Sequence, residues 1–465
     1  MIEYLQALVN SKRLGTQVVF QTVLPQTPAL WSESIPHYPP AIQEALRAAG
    51  IQRLYQHQGR ATAKIRRGEH VIVATPTASG KTLIYTLPVL ERFQTHEKSR
   101  SLYIFPLKAL AQDQLRAFEQ MAAHFEENRP TAAIYDGDTS AYRRKKIRES
   151  PPNVILTNPE MLHLSFLAHH RKWKHFFKNL HIVVVDEVHA YRGIMGSHVA
   201  QIFRRFQRIC RRYGTSPTFI FSSATVANPA RLAQQLTGLP VTAITRSGAP
   251  RGNRHLVFVN PETGPAQAAI LLLKAALHRR LRTIIYTRSR KLTELITMWA
   301  AEQSGNFADR ISAYRAGFLP QERRQIEARL SNGDLLAVIS TSALELGIDI
   351  GDLDLCILVG YPGSVVSTWQ RGGRVGRSGQ DSALILIAGE DALDQFFMRN
   401  PENFIKRPPE SAVVNPHNTH ILAQHLECAA AELPLKSGEP MITDRNGEQT
   451  IEFLENSGKL LRTAD

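Results

Sequence analysis

Cysteine is scarce in this chain: only Cys210, Cys356 and Cys428 occur among 465 residues, far apart and with no CxxC pair. That excludes a disulfide framework and a four-cysteine zinc site, and it suits a reducing compartment, so a cytoplasmic location is expected. Long apolar runs are missing as well. The N-terminus reads MIEYLQALVNSKRL, and no stretch reaches the roughly 18 consecutive apolar residues that a membrane span requires, so no membrane partner is expected. Internal repeats and low-complexity tracts are absent. Acidic residues are in deficit, 41 Asp and Glu against 56 Lys and Arg, a formal charge of +15 that favours a polyanionic partner over a merely solvated basic surface.

A hydrophobic fraction of 43% fits globular folding, and 465 residues are too many for one core, so two or three domains are expected. Short β-branched runs alternate with longer helical patterns: HVIVAT, SLYIFP, NVILTN, HIVVVD and TFIFSS, then RTIIYT, LLAVIS and DLCILVG. Apolar throughout rather than alternating, they suit strands of parallel sheets covered on both faces. The series pauses between about Thr245 and Pro265, where RSGAPRGNRHLVFVNPETGP mixes Gly, Pro and charge as a linker does. The expected organisation is a helical N-terminal preface (1–50), a first α/β domain (51–247), a second α/β domain (248–407) and a tail (408–465).

The run VIVATPTASGKT reads as a buried strand, a loop of small residues and a helix opening at Lys81-Thr82, which is the context of a phosphate loop. Backbone N–H groups from Thr77 through Ala78, Ser79 and Gly80 to Lys81 can curl around a phosphate. Lys81 would neutralise the β- and γ-phosphates, and Thr82 would ligate Mg²⁺. Thr75 stands where the usual pattern has its first Gly. About a hundred residues on, HIVVVDEVHAY sets Asp186 and Glu187 at the carboxyl end of an apolar strand, Asp186 to hold Mg²⁺ through water and Glu187 to polarise the attacking water. His189 is a candidate relay to the SSAT loop, with a satisfied polar residue as the plain alternative.

The order of these segments resembles a superfamily 2 helicase from about Leu54 to Gly379. In LYQHQ, Gln58 stands at the adenine-reading position. FPLKALAQDQ, YDGDT and TNPEML resemble the segments that grip a nucleic-acid backbone, and SSAT (Ser223, Ala224, Thr225) resembles the one coupling ATP state to strand movement. YTRSRK, AYRAGFLPQERR, ISTSALELGIDIGDLD and QRGGRVGRSG follow in the usual order. The resemblance implies an α/β fold of two tandem RecA-like parallel-sheet domains that hydrolyse ATP with Mg²⁺. It places Gln370, Arg374 and Arg377 in catalysis, the two arginines as fingers on one helical face, and Gly347 and Asp349 as nucleotide sensors. Lys108, Gly137, Thr157, Asn158, Pro159, Glu160, Thr287, Ser289, Arg315 and Thr341 occupy strand-contacting positions. Their loop amides and the Thr157 hydroxyl suit phosphates and carry no base identity. Trp369 is open between stacking on a base and packing in the core.

TASGKT with DEVH, LYQHQ, LELGIDIGDLD and the tail motif NPHNTHILAQHLECAAAELPL resemble the MrfA (YprA) branch of DEAD/DEAH-box-type helicases, RecQ-related DNA repair enzymes that translocate 3′ to 5′. The implied partners are single-stranded and tailed duplex DNA, bound by a monomer. A nucleic-acid-stimulated ATPase that remodels protein complexes and an RNA helicase are the alternatives. The branch continues through a winged helix into a cysteine-rich zinc domain, whereas the sequence in hand reaches Asp465 without those cysteines. Its tail is expected to hold one amphipathic helix over Asn415–Leu435, then a strand, a turn and a short helix, a partial winged-helix segment that leaves duplex unwinding weak.

Overall fold

The computed structural model describes residues 1–33, 37–126, 128–345, 351–376, 379–443 and 445–463. Its strands along the chain are β1 (Val18–Leu24), β2 (Val71–Ala74), β3 (Arg100–Ile104), β4 (Ala132–Ile134), β5 (Val154–Thr157), β6 (Leu180–Val185), β7 (Thr218–Ser223), β8 (Thr242–Ile244), β9 (Arg254–Val259), β10 (Thr283–Tyr286), β11 (Ile311–Tyr314), β12 (Ala337–Ser340), β13 (Leu355–Val359) and β14 (Ser382–Ile387). They divide between two compact units. One comprises Trp31–Thr75, Gly80–Ser247 and Ser411–Asp465; the other comprises Met1–Leu30, Pro76–Ser79 and Gly248–Glu410.

The first unit holds a seven-stranded sheet in the order β4-β5-β3-β6-β7-β2-β8, with every pairing parallel. Strands β2 and β5 are buried along their whole length and β3, β6 and β7 at all but one residue each, because helices cover both faces and leave no solvated side to favour alternation. The core gathers aromatic residues, with Phe166 stacked on Trp173 at 4.1 Å between ring centroids. In a doubly covered parallel sheet, loops at the carboxyl ends of the strands are where ligands bind. Those are the ends that carry TPTASGKT, DEVH and SSAT.

The second sheet runs β1-β9-β14-β13-β10-β12-β11, parallel except where β1 pairs antiparallel with β9. This overturns two expectations. The stretch read as a linker contains β9, an inner strand between β1 and β14 whose His255–Val259 are buried; its short apolar run was masked by the Gly, Pro and charge on either side. Nor is the N-terminal stretch purely a helical preface, since it also contains the strand β1. Helix Ile2–Val9 buries Tyr4, Leu5 and Leu8, Tyr4 donates to the Leu272 carbonyl at 3.1 Å, and β1 supplies the sheet edge.

The tail is helical. Helix Thr419–Glu432 buries Ile421, Leu422, His425, Leu426 and Ala429, and helix Arg445–Asn456 packs on it through Leu454. No strand forms between them among the described residues, so the strand expected in this segment is replaced by turns and a longer helix. The first tail helix lies on Gly193–Arg212 of the same unit, fixed by buried polar contacts around Arg205 and Arg208.

Candidate functional site

In the first unit, β2 runs into the loop that opens helix Lys81–Thr95. Ala78 (φ 60°) and Gly80 (φ 74°) both take left-handed backbone angles, the sharp reversals that turn successive N–H groups toward one centre. At Gly80 a Cβ would stand 2.6 Å from the Gln58 amide nitrogen, so any side chain here would displace that amide and strain the left-handed backbone. Lys81 Nζ donates to the Thr75 carbonyl at 3.0 Å, which draws the ammonium back over the loop. Gln58 is buried; its oxygen accepts from Tyr55 N at 2.8 Å and its nitrogen donates to Gly80 O at 2.9 Å. The glutamine expected to read adenine therefore also braces the phosphate loop.

Asp186 and Glu187 follow β6. Asp186 Oδ1 accepts from Glu187 N at 2.9 Å, and Glu187 itself sits at φ 47°. A non-glycine residue in that region costs on the order of 1–3 kcal/mol, and such strain gathers at functional sites. Burial, with the Glu187 charge beside it, raises the Asp186 pKa to about 6. Tyr85 completes the arrangement. Its hydroxyl lies 3.4 Å from Asp186 Oδ2, 3.5 Å from Thr82 Oγ1 and 2.8 Å from Gln114 Oε1. One phenol thus spans the two groups expected to hold Mg²⁺, and the site offers a hydroxyl and a carboxylate, hard oxygen donors that suit an ion carried largely by phosphates and water. Sequence reasoning missed Tyr85; its signal was the three-residue step from Thr82 along one helix face.

His189 and the SSAT loop are brought together. Ala224 N donates to His189 Nδ1 at 3.2 Å, Ser223 Oγ lies 3.5 Å away, and Glu187 Oε2 stands 3.4 Å from the same nitrogen. One imidazole therefore touches both the carboxylate segment and Ser223-Ala224. Thr225 adjoins them and is exposed.

Several expected strand contacts are engaged locally. The Thr157 hydroxyl donates to Tyr135 O at 2.7 Å and is buried, so it is not presented to a phosphate as expected; Asn158 caps the next turn by accepting from Met161 N at 2.8 Å. Pro159 is buried and Glu160 is exposed. Lys108 is paired with Asp138 at 2.6 Å, next to Gly137.

In the second unit, Thr287 is buried and shares a 2.7 Å hydrogen bond with Thr293, while Ser289 caps helix Arg290–Gln303 by accepting from Leu292 N at 3.1 Å. Arg315 pairs with Glu294 at 2.6 Å. Thr287 and Thr341 line a cavity of about 360 Å³ at the carboxyl ends of β10 and β12, with Arg288, Tyr361 and Asp391. The polar side chains of these loops are mostly engaged in fixing loop shape.

The arginine segment differs from its expected form. Helix Val365–Gly372 ends at the Gly372-Gly373 pair, so Arg374 lies beyond it and is not on a helical face as expected. Arg374 is buried and donates to Glu345 O at 2.6 Å, while Arg371 pairs with the Glu345 carboxylate and lies over the Tyr286 ring. Gln370 is buried in the same helix, and Trp369 packs against Phe404. Arg377, Gly347 and Asp349 lie outside the described residues. No group of three or more His, Cys, Asp or Glu side chains capable of holding a metal occurs among the described residues.

Two RecA-like units, one bearing a phosphate loop with DEVH and SSAT segments and the other a QRGGR segment, define a superfamily 2 helicase motor. The DEAD/DEAH box helicase model matches residues 55–232, and the helicase conserved C-terminal domain matches residues 267–379. This chain belongs to that family, in its MrfA/YprA-like branch. It is 46% identical to the uncharacterized ATP-dependent helicase YprA of Bacillus subtilis over 442 residues, 92% of this chain and 59% of that protein. It is 35% identical to ATP-dependent helicase hrq1 of Schizosaccharomyces pombe, over 93% of this chain and 43% of that one. The structure of DUF1998 helicase MrfA bound to DNA and AMPPNP matches with a TM-score of 0.95 and 41% identity, over 100% of this chain and 65% of that one. The chain thus spans less than two thirds of these relatives.

Proposed function

We propose that this protein is an ATP-dependent 3′-to-5′ DNA helicase or translocase that acts in DNA repair. The observation that carries the reading is the convergence of Lys81, Thr82, Asp186 and Glu187 at the carboxyl ends of β2 and β6, with the Tyr85 hydroxyl between Thr82 and Asp186. DNA is favoured because a relative 41% identical to this chain was solved bound to it.

In this reading Gln58 holds adenine. The loop from Thr75 through Thr77, Ala78, Ser79 and Gly80 receives the phosphates, Lys81 offsets their charge, and Glu187 orients and deprotonates the attacking water. Thr82 and Asp186 would hold Mg²⁺, which would supply Lewis-acid charge at the phosphates. Gln370, Arg374 and Arg377 stabilise charge that develops on the transferred group, with Gly347 and Asp349 as sensors. His189 passes the state of Glu187 to Ser223, Ala224 and Thr225. The loops at Lys108, Gly137, Thr157–Glu160, Thr287, Ser289, Arg315 and Thr341 hold successive phosphates of a single strand.

The test measures ATP turnover and strand displacement on DNA and RNA duplexes with single-stranded tails of either polarity, with Glu187→Gln as control. Turnover stimulated by single-stranded DNA, displacement from a 3′ tail and loss of both in the variant are expected. Turnover indifferent to DNA, or stimulated by RNA alone, overturns the reading.

A further inference from the structure

Helix Ala141–Glu149, AYRRKKIRE, carries five Lys or Arg in nine residues and directly follows the Gly137 loop. A solvated helix face is the ordinary use of such charge, but here the two flanks of the helix differ. At about 100° per residue, Arg144 and Arg148 fall on one side of the buried Ile147, and Tyr142, Arg143 and Lys146 fall on the other.

The first flank is structural. Arg144 donates to the carbonyls of Asp136 and Gly137 at 2.8 and 3.1 Å, and Arg148 donates to the Tyr135 hydroxyl at 3.0 Å. The helix is thereby tied to the loop that is expected to touch the strand. On the second flank, Tyr142, Arg143 and Lys146 are exposed, and their side chains make no ion pair or hydrogen bond among the described residues. Tyr142 is 78% exposed, the most open tyrosine or phenylalanine among the exposed large hydrophobics, and it is set in basic residues. Fold stability gives no reason for an aromatic ring there. A positively charged face interleaved with an open ring is instead the chemistry that holds unpaired nucleotides: cations on phosphates, and a π-face on a base. A duplex keeps its bases stacked away from such a ring.

We infer that Tyr142, Arg143 and Lys146 form a binding surface for single-stranded DNA that extends the strand path outward from the Gly137 loop, with Tyr142 stacking on a base. This rests on the DNA reading above and adds a segment to that path. Lys108 shares its charge with Asp138, whereas Arg143 and Lys146 make no ion pair among the described residues, so the phosphates that leave the Gly137 loop meet them as uncompensated charges.

The test uses the whole chain and a fluorescent oligodeoxythymidine longer than about 16 nucleotides, the upper size of a single-strand site. Affinity is measured against salt for the wild type, Tyr142→Leu and the double variant Arg143→Gln/Lys146→Gln. All three positions are exposed, and unchanged ATP turnover without DNA checks the fold. The double variant should show a salt slope shallower by roughly 1.4, about 0.7 for each phosphate of a single strand that is no longer neutralised. Tyr142→Leu should bind about five- to a hundredfold more weakly with its slope unchanged, and that loss should vanish on a strand whose facing nucleotides are abasic. Variants that match the wild type in affinity and slope overturn the inference, as does an equal Tyr142→Leu loss on the abasic strand. If the wild type itself shows no salt-dependent affinity for the oligonucleotide, the DNA reading fails, and that result is distinct from either of the others.

Discussion

Arg205 and Glu432 lie 227 residues apart in the chain and face each other in an ion pair with both side chains closed to solvent, Nε 3.1 Å from Oε2. Arg205 also donates to His425 Nδ1 at 2.9 Å and to His163 Nδ1 at 3.0 Å, while Arg208 reaches the carbonyls of Ala429, Leu433 and Pro434. The tail helix is therefore held by charge as well as by its apolar face. Removing one partner of such a buried pair leaves the other charge uncompensated, at a cost of about 3–5 kcal/mol. Glu432→Ala should lower the unfolding temperature and increase hydrogen exchange across Thr419–Glu432. Replacing Arg205 and Glu432 together by methionine should cost far less, and equal losses in the two variants would contradict the assignment.

The same cluster makes stability sensitive to acid. Burial, with the Arg205 charge and the His198 and His163 rings facing it, lowers His425 to about 3 from the ordinary 6.5, and Glu432 closes the far side of Arg205. Between those values the unfolded chain binds a proton that the folded chain refuses, so this contribution to stability is complete above about pH 6.5 and is lost as pH falls toward 3. His425→Gln keeps an acceptor for Arg205 without the titration. Its melting temperature should fall less between pH 7 and pH 5 than that of the wild type, and parallel falls would refute the effect.

Asp186 titrates in the opposite sense. Its folded pKa of about 6 exceeds the unfolded 3.8, so its contribution to the stability of the nucleotide-free protein is present below about pH 4 and lost as pH rises through 6. Asp186→Asn removes that buried charge. The variant should unfold at a higher temperature than the wild type at pH 8, by an advantage of up to about 3 kcal/mol that is reduced at pH 5. Calorimetry at the two pH values provides the check.

Lys81→Ala and Glu187→Gln should separate binding from chemistry. In the proposed reading the first removes charge that faces phosphates in every state, so nucleotide affinity should fall. The second keeps shape and removes the proposed base, so ATP should stay bound while turnover drops by roughly 10²–10⁴. Fluorescent-nucleotide titration together with phosphate release distinguishes them, and equal affinities in the two variants would contradict the assigned roles.

Asp394 fixes three loops at once. It is fully buried, accepts from Arg288, from Tyr361 N at 3.0 Å and from Gly389 N at 2.7 Å, and so ties together the carboxyl ends of β10, β13 and β14. Asp394→Asn should destabilise by about 1.5–3 kcal/mol, the range for hydrogen bonds to a charged group. Arg288→Gln should cost less, because Arg288 is 41% exposed and the Asp394 carboxylate keeps its two backbone donors. Denaturant unfolding of both variants tests the order.

Linear patterns made the nucleotide site legible. HVIVAT, HIVVVD and TFIFSS are buried strands because parallel sheets need apolar residues on both faces, and the functional loops follow them directly in sequence. Where burial depends on a distant partner the sequence was silent. His255–Val259 read as linker because the flanking Gly and Pro outweighed a five-residue run, and only pairing with β1 and β14 makes it an inner strand. Arg374 read as helical by spacing, yet its helix ends two residues earlier.

Local sequence is enough to define the phosphate loop, the DEVH carboxylates and the two-sheet plan, since each rests on neighbours within a few residues. Tertiary structure decided the rest: that Tyr85 bridges Thr82 and Asp186, that Gln58 braces Gly80, that the N-terminal stretch completes the second sheet, and that Arg205 holds the tail. Each of these depends on groups made neighbours by burial. A hydrogen bond or ion pair across many residues leaves no periodic trace in the sequence, because only the fold sets its distance.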